Sequence, residues 1–224
     1  MENKKQKIKK KNIEVKNNDK NEIKITDIYL NNQTIKEAQD FFEKEAFIQL
    51  NSFLENENII QLKNKLEKQE IKEIYNPMKH RFQEINISKI YDLDLIKLIE
   101  FFRSKFFLEY IEDITGFNLS YKFVNLRKFS HWDFTLIHDD FQEKEDIIDV
   151  IFDLSDIFQE NMGGILTYAT KEEEIFYLDP SFNSLSILYK PESVISYLKY
   201  INNLAENRKI LRFEIQFDIV EDIN

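Results

Sequence analysis

The chain contains His80, His131 and His138 as its only histidines and no cysteine, so imidazole chemistry has three sources and thiolate chemistry none. Disulfides and Cys-ligated zinc are excluded with it, which leaves the redox compartment open. Of the three, His138 has the most suggestive setting. It stands in Phe134-Thr135-Leu136-Ile137-His138-Asp139-Asp140, a run that alternates like a strand before its acidic end. Alternate residues of a strand share a face, so His138 and Asp140 can converge on one ion. Imidazole and carboxylate suit iron(II), and they would supply two of the three ligands of a two-His-one-carboxylate triad. The plain alternative is a surface turn in which Asp140 accepts from a backbone N–H. His131-Trp132 reads as an aromatic pair completing a core, and His80, just after Pro77, as an exposed loop residue. No phosphate-binding glycine loop, nucleophile elbow or His-Glu-X-X-His zinc motif occurs.

The elements that would position these residues follow from periodicity. Ile35 to Phe47 is loosely helical, and Phe47-Ile48-Gln49-Leu50 reads as a short strand. Ile59, Ile60, Leu62 and Leu66 form one apolar stripe of a helix starting near Asn56. A single long helix is expected from Leu93 through Phe102, Phe106 and Tyr110 to Ile114, with Gly116 as its stop. Beyond it the period changes to two at Leu119 to Phe123 and in part at Ile147 to Leu154, and further strand-like runs follow at Ile165 to Ala169, Ile175 to Leu178, Leu185 to Tyr189 and Ile210 to Ile219. Helices first and many short strands afterwards indicate an α+β protein with an all-β core. The acidic cluster from Lys171 to Glu174 has the character of a solvated hairpin loop.

At 224 residues, with 42% hydrophobic and 14% aromatic residues, the chain can fill one substantial core. Residues 1–24 are rich in Lys and Asn and poor in apolar groups, and are expected to be disordered, with a single domain over 25–224. The net charge of −10 opposes non-specific attraction to nucleic acid, the Lys-rich tail being one candidate for a local basic patch. No continuous apolar stretch suits a signal peptide or a membrane span, so a soluble cytoplasmic protein is expected, with no membrane partner.

The order of the motifs carries a resemblance. After His138-Asp139-Asp140 come an Ile/Val/Phe strand, Met162-Gly163-Gly164-Ile165-Leu166, Pro180-Ser181-Phe182-Asn183-Ser184-Leu185, and Arg212 within a late strand. This arrangement, spanning roughly Phe47 to Asp218, resembles the 2-oxoglutarate- and iron(II)-dependent oxygenases, closest to the Tpa1-like, or ribosomal-protein, prolyl hydroxylases. The resemblance implies a double-stranded β-helix, or jelly roll, with supporting N-terminal helices. It implies hydroxylation of a prolyl residue in a protein substrate, with Fe(II) bound by His138 and Asp140 and the far carboxylate of 2-oxoglutarate gripped by Arg212, a bidentate task suited to guanidinium. Gly163 and Gly164 would form the turn into a jelly-roll strand.

Two departures set an alternative beside it. The distal iron-binding histidine of that family would fall within Tyr197 to Tyr200, with Tyr197 or Leu198 favoured, and Lys190 to Leu211 contains no histidine; Glu192 or Glu206 would be substitutes from loops. Glu214 stands two residues beyond Arg212 on the same strand face, where it would neutralise the guanidinium and repel a dicarboxylate. The alternative is a catalytically degenerate oxygenase fold serving as a protein-binding module. The target protein and the oligomeric state are not specified by the sequence.

Overall fold

The structure, a computed structural model, describes residues 23–55, 59–136, 145–170 and 174–220. Residues 1–22 and 171–173, and with them most of the Lys-rich segment and of the acidic cluster, lie outside the described residues. Lys24 and Ile25 are already part of the fold. Glu55 N donates to the Lys24 carbonyl at 3.0 Å, and Ile25, fully buried, bridges to Leu54.

The N-terminal half is mostly helical. Helix α1 (Asn32–Glu45) starts where the Asn31 side chain accepts from Gln33 N and ends at Ala46 in the left-handed region. Strand β1 (Phe47–Asn51) follows, then α2 (Ile59–Leu66), which buries Ile59, Leu62 and Leu66 but turns Ile60, expected on the same stripe, to solvent. A hairpin of β2 (Ile71–Asn76) and β3 (His80–Ile85) comes next; its alternation is too weak to be legible from periodicity.

The expected long helix is two helices, α3 (Leu93–Arg103) and α4 (Lys105–Thr115). Ser104 separates them with an extended backbone (φ −72, ψ 151), its hydroxyl accepting from Phe107 N at 3.1 Å. A hydroxyl that caps a new helix offers the backbone an alternative to continuing the old one, and the buried stripe shifts at the break: Phe107 is buried, whereas Leu93 and Phe106, expected on one continuous stripe, are exposed. Gly116 ends α4 with φ 74, as expected.

The second half supplies β4 (Leu119–Phe129), β5 (Phe134–Thr135), β6 (Ile147–Leu154), β7 (Leu166–Ala169), β8 (Glu174–Leu178), β9 (Phe182–Lys190), β10 (Ile195–Leu198) and β11 (Ile210–Ile219). All pairings are antiparallel. The main sheet runs β1-β9-β6-β11-β4-β3-β2, with β5 attached to β3, and the smaller sheet runs β10-β7-β8. Strand β5 joins the two, since the Thr135 hydroxyl accepts from Leu198 N at 2.6 Å and Ile201 N donates to the Asp133 carbonyl.

Each central strand of the main sheet therefore has two buried faces. One packs on the helices: Phe152, Leu185, Leu211, Phe213 and Phe217 meet Phe102, Phe107 and Ile111 there. The other faces the smaller sheet across Phe82, Phe129, Ile151, Leu188 and Ile210. This explains why all eight residues of β6 are buried. The turn into the smaller sheet needs Gly163, whose φ is 78 and where a Cβ would stand 1.9 Å from the Tyr200 carbonyl oxygen.

Candidate cosubstrate-binding interior

Alternation along β11 sends Leu211, Phe213, Ile215 and Phe217 to the helices and Arg212, Glu214 and Gln216 into the space between the sheets. Arg212 is 1% exposed, with its guanidinium 5.4 Å from the Phe129 ring centre. Its Nε and Nη2 are buried and have no hydrogen-bond partner. These two donors form the side edge of the guanidinium, the pair that meets both oxygens of a carboxylate. Leaving them unpaired in the interior costs free energy that a bound oxyanion would recover.

A row of polar side chains crosses the sheet at this level. Arg212 is directly opposite Asp153 on β6, and Asp153 is directly opposite Ser184 on β9. Both neighbours are fully buried, and Asp153 Oδ2 and Ser184 Oγ also lack partners. Asp153 Oδ1 accepts from Ser155 N at 2.7 Å. Burial raises the Asp153 pKa above the ordinary carboxylate range; the Arg212 charge and the hydrogen bonds from Ser155 work against the rise.

Glu214, expected to neutralise Arg212, is held elsewhere. Its Oε2 lies 2.5 Å from Arg127 Nη1, and the Arg127 guanidinium also packs over Phe82 at 4.7 Å. Arg127 lies on β4, opposite Arg212 in register and inward like it, so the acid has two cations in reach and pairs with the one on the neighbouring strand. The side edge of Arg212 is left without a partner. Further along, Tyr168 on β7 donates to Asp149 Oδ2 at 2.8 Å, and burial pushes Asp149 up to about 6 despite the opposing charge of Lys190.

Among the sequence candidates for metal ligands, His138 and Asp140 lie outside the described residues. Leu198 is 1% exposed within the apolar cluster between the sheets, and Tyr197 is on the opposite face of β10. Glu206 sits in a turn at positive φ, its carboxylate mostly exposed beside Arg208, and Glu192 is exposed. Among the described residues no three His, Cys, Asp or Glu side chains are grouped to hold an ion.

The other two histidines correct the sequence reading. His80 is no loop residue: it opens β3, half-buried, opposite Thr135 and 5.4 Å from the Phe82 ring. The His131-Trp132 pair does not complete a core. Trp132 is 56% exposed at φ 79, in a turn held by Ser130 N donating to Asp133 Oδ2 at 2.8 Å. A buried aspartate fixes the turn and leaves the indole outside.

Asp149, Asp153 and Ser184 are functional candidates that motif reasoning passes over. A signal is present, because Asp149 and Asp153 are polar positions four apart in an otherwise apolar strand and must share one face.

Two antiparallel sheets facing each other, with helices backing the larger one, make the double-stranded β-helix fold of the 2-oxoglutarate and iron(II) oxygenases. Residues 23–223 match the family described as "oxoglutarate and iron-dependent oxygenase degradation C-term", and the chain belongs to that family. Prolyl 3-hydroxylase OGFOD1 of Xenopus laevis is 31% identical over 87 residues, 37% of this chain and 17% of that protein. The chain thus spans about a sixth of the length of the curated relative it matches. Similar solved structures include an oxidoreductase of the 2OG-Fe(II) oxygenase family from Burkholderia pseudomallei (TM-score 0.63, 8% identity, 82% of this chain and 90% of that one). A Pseudomonas putida prolyl-4-hydroxylase gives TM-score 0.60 at 12% identity over 83% and 99% of the two chains. A Trichoplax adhaerens prolyl hydroxylase, in complex with a hypoxia inducible factor peptide fragment, gives 0.61 at 12% over 86% and 92%. At these identities the structures show a shared fold. No helix of the described residues is long and apolar enough to cross a membrane.

Proposed function

We propose that the domain binds 2-oxoglutarate between its sheets and acts as an iron(II)-dependent oxygenase on a prolyl residue of a protein substrate. The observation that carries this reading is the side edge of Arg212, buried, cationic and unpartnered, in the interior where a cosubstrate would be shielded from water. Arg212 would grip the far carboxylate and Phe129 would bound the site along the face of the guanidinium. Iron(II) held by His138 and Asp140, the residues of this chain suited to it, would supply the oxidising chemistry when bound. The prolyl hydroxylases among the similar proteins support the choice of substrate class.

A second reading rests on Leu198. A buried leucine stands at one of the two positions expected for the distal histidine, so the metal would have two protein ligands, and a two-ligand site holds iron more weakly. Under that reading the domain binds its protein partner without turnover. Anaerobic titration with iron(II) and 2-oxoglutarate, followed by visible absorption, separates the two. The oxygenase reading expects the charge-transfer band of a chelated keto acid, lost in Arg212→Ala and in His138→Ala. Absence of the band at saturating iron, with partner binding retained in His138→Ala, would establish the binding module instead.

A further inference from the structure

The row Ser184, Asp153, Arg212 contains an acid that the proposed binding of a dicarboxylate does not need and that electrostatics should oppose. Asp153 is opposite Arg212 across β6 and β11, both are fully buried, and each keeps polar atoms without partners. A carboxylate arriving on the Arg212 fork would therefore stand beside a second carboxylate inside the protein. Two like charges at such a separation in a dry interior repel strongly, and one of them takes up a proton.

We infer that Asp153 couples carboxylate binding at Arg212 to the uptake of one proton, so that the site takes its ligand as a carboxylate together with a protonated Asp153. The inference rests on the reading of Arg212 as the cosubstrate anchor. The charge count supports it. Arg212 and Asp153 cancel in the empty site, and with the ligand bound the row returns to neutrality only if Asp153 is neutral. A protonated Asp153 also gains a use for its unpartnered Oδ2, which becomes a donor facing the ligand or the Ser184 hydroxyl.

The surroundings leave Asp153 as the group that titrates. From β11 it faces Arg212 and from β9 it faces Ser184, while the Ser155 and Ser181 segments contribute only hydroxyl and backbone groups. One step outward, Arg127 and Glu214 are tied to each other, and from the smaller sheet Tyr168 is tied to Asp149. Burial already raises the Asp153 pKa in the empty site, and a second anion raises it further. The sign follows: binding is tightest where Asp153 is already protonated and weakens as pH rises through its free-state pKa, by about tenfold per pH unit while one proton is linked.

The test is calorimetric titration of the metal-free full chain with 2-oxoglutarate, from about pH 6 to about pH 8, in paired buffers of different ionisation enthalpy. The wild type should take up about one proton per ligand and lose affinity with rising pH. Asp153→Asn should bind without proton uptake, with a flat pH profile and higher affinity at the alkaline end; Arg212→Ala should bind at neither end. Arg212-dependent binding with no proton uptake by the wild type would overturn the role of Asp153 while leaving the anchor intact. If neither the wild type nor Asp153→Asn binds at any pH, the anchor reading fails, and this inference with it. The buffer-pair measurement is made on the wild type, so it holds even if Asp153→Asn does not fold.

Discussion

Replacing Arg212 by methionine should make the domain more stable while abolishing ligand binding. The guanidinium is 1% exposed and leaves Nε and Nη2 without partners. Each unsatisfied buried donor costs about 1–3 kcal/mol, so the fork holds roughly 2–6 kcal/mol against folding. Methionine keeps an unbranched stem of similar reach and removes the donors and the charge. Against this, Asp153 loses the cation that lowers its pKa and must stay neutral in the folded state. That penalty is about 1.5 kcal/mol near pH 5 and grows by about 1.4 kcal/mol for each further pH unit. The net expectation at mildly acidic pH is a gain of about 1–3 kcal/mol, read as a higher urea midpoint at unchanged slope, and as roughly 2–4 °C in Tm per kcal/mol for a domain of this size. A loss of more than about 1 kcal/mol would mean that Arg212 is a structural residue whose partners matter to the fold, and the cosubstrate reading would lose its main support.

Asp149 gives a pH signature of its own. Burial raises its pKa from 3.8 to about 6, so the folded state holds the proton more tightly than the unfolded state, and stability present at low pH is lost as pH rises through that window. The loss is about 3 kcal/mol, and Asp149→Asn should remove that slope from urea midpoints measured across the window. Gly163→Ala should cost several kcal/mol or prevent folding, because its Cβ would meet the Tyr200 carbonyl at 1.9 Å and its φ is 78; a thermal melt within about 1 kcal/mol of wild type would contradict the turn geometry. Leu198→His places an imidazole on the inward face of β10 at the expected distal position. Iron(II) affinity should rise at least about tenfold, as judged by competition with a chelator, and an unchanged affinity would mean that position 198 does not adjoin the metal ligands.

Much of this fold is legible in the sequence because periodicity changes where the architecture does. Strands β6 and β11 have the ends that the spacing predicts: a run as short as Ile147 to Leu154, rich in Ile, Val and Phe, suits a strand covered on both faces better than a helix. The break at Ser104 is not legible, because the apolar stripe of α3 and α4 is continuous in sequence and only one hydroxyl marks the stop. The β2–β3 hairpin escapes because β2 is an edge strand with exposed side chains and so lacks the pattern burial imposes. In the interior, Arg212 can be singled out by its place in a motif order. The pairing of Glu214 with Arg127 cannot, because alternation says which residues share a face and not which of two cations an acid will meet across strands.

The two faces of the main sheet differ in a way that bears on function. On the helix side, the same strands present Phe152, Leu185, Leu211, Phe213 and Phe217, a wholly apolar set that suffices to hold the helices. On the inner side they present Asp149, Asp153, Ser184, Ser186 and Arg212, all buried and several unpaired, with Glu214 partly buried beside them. A protein that needed its inner face only for packing would be more stable with apolar residues there, as Leu198 illustrates at a position the resemblance assigns to a metal ligand. Free energy is thus held against folding at the row around Arg212, and a ligand that satisfies the row recovers it on binding. A missing third metal ligand would bear on oxygen chemistry alone, whereas carboxylate binding at the open Arg212 edge would not depend on it.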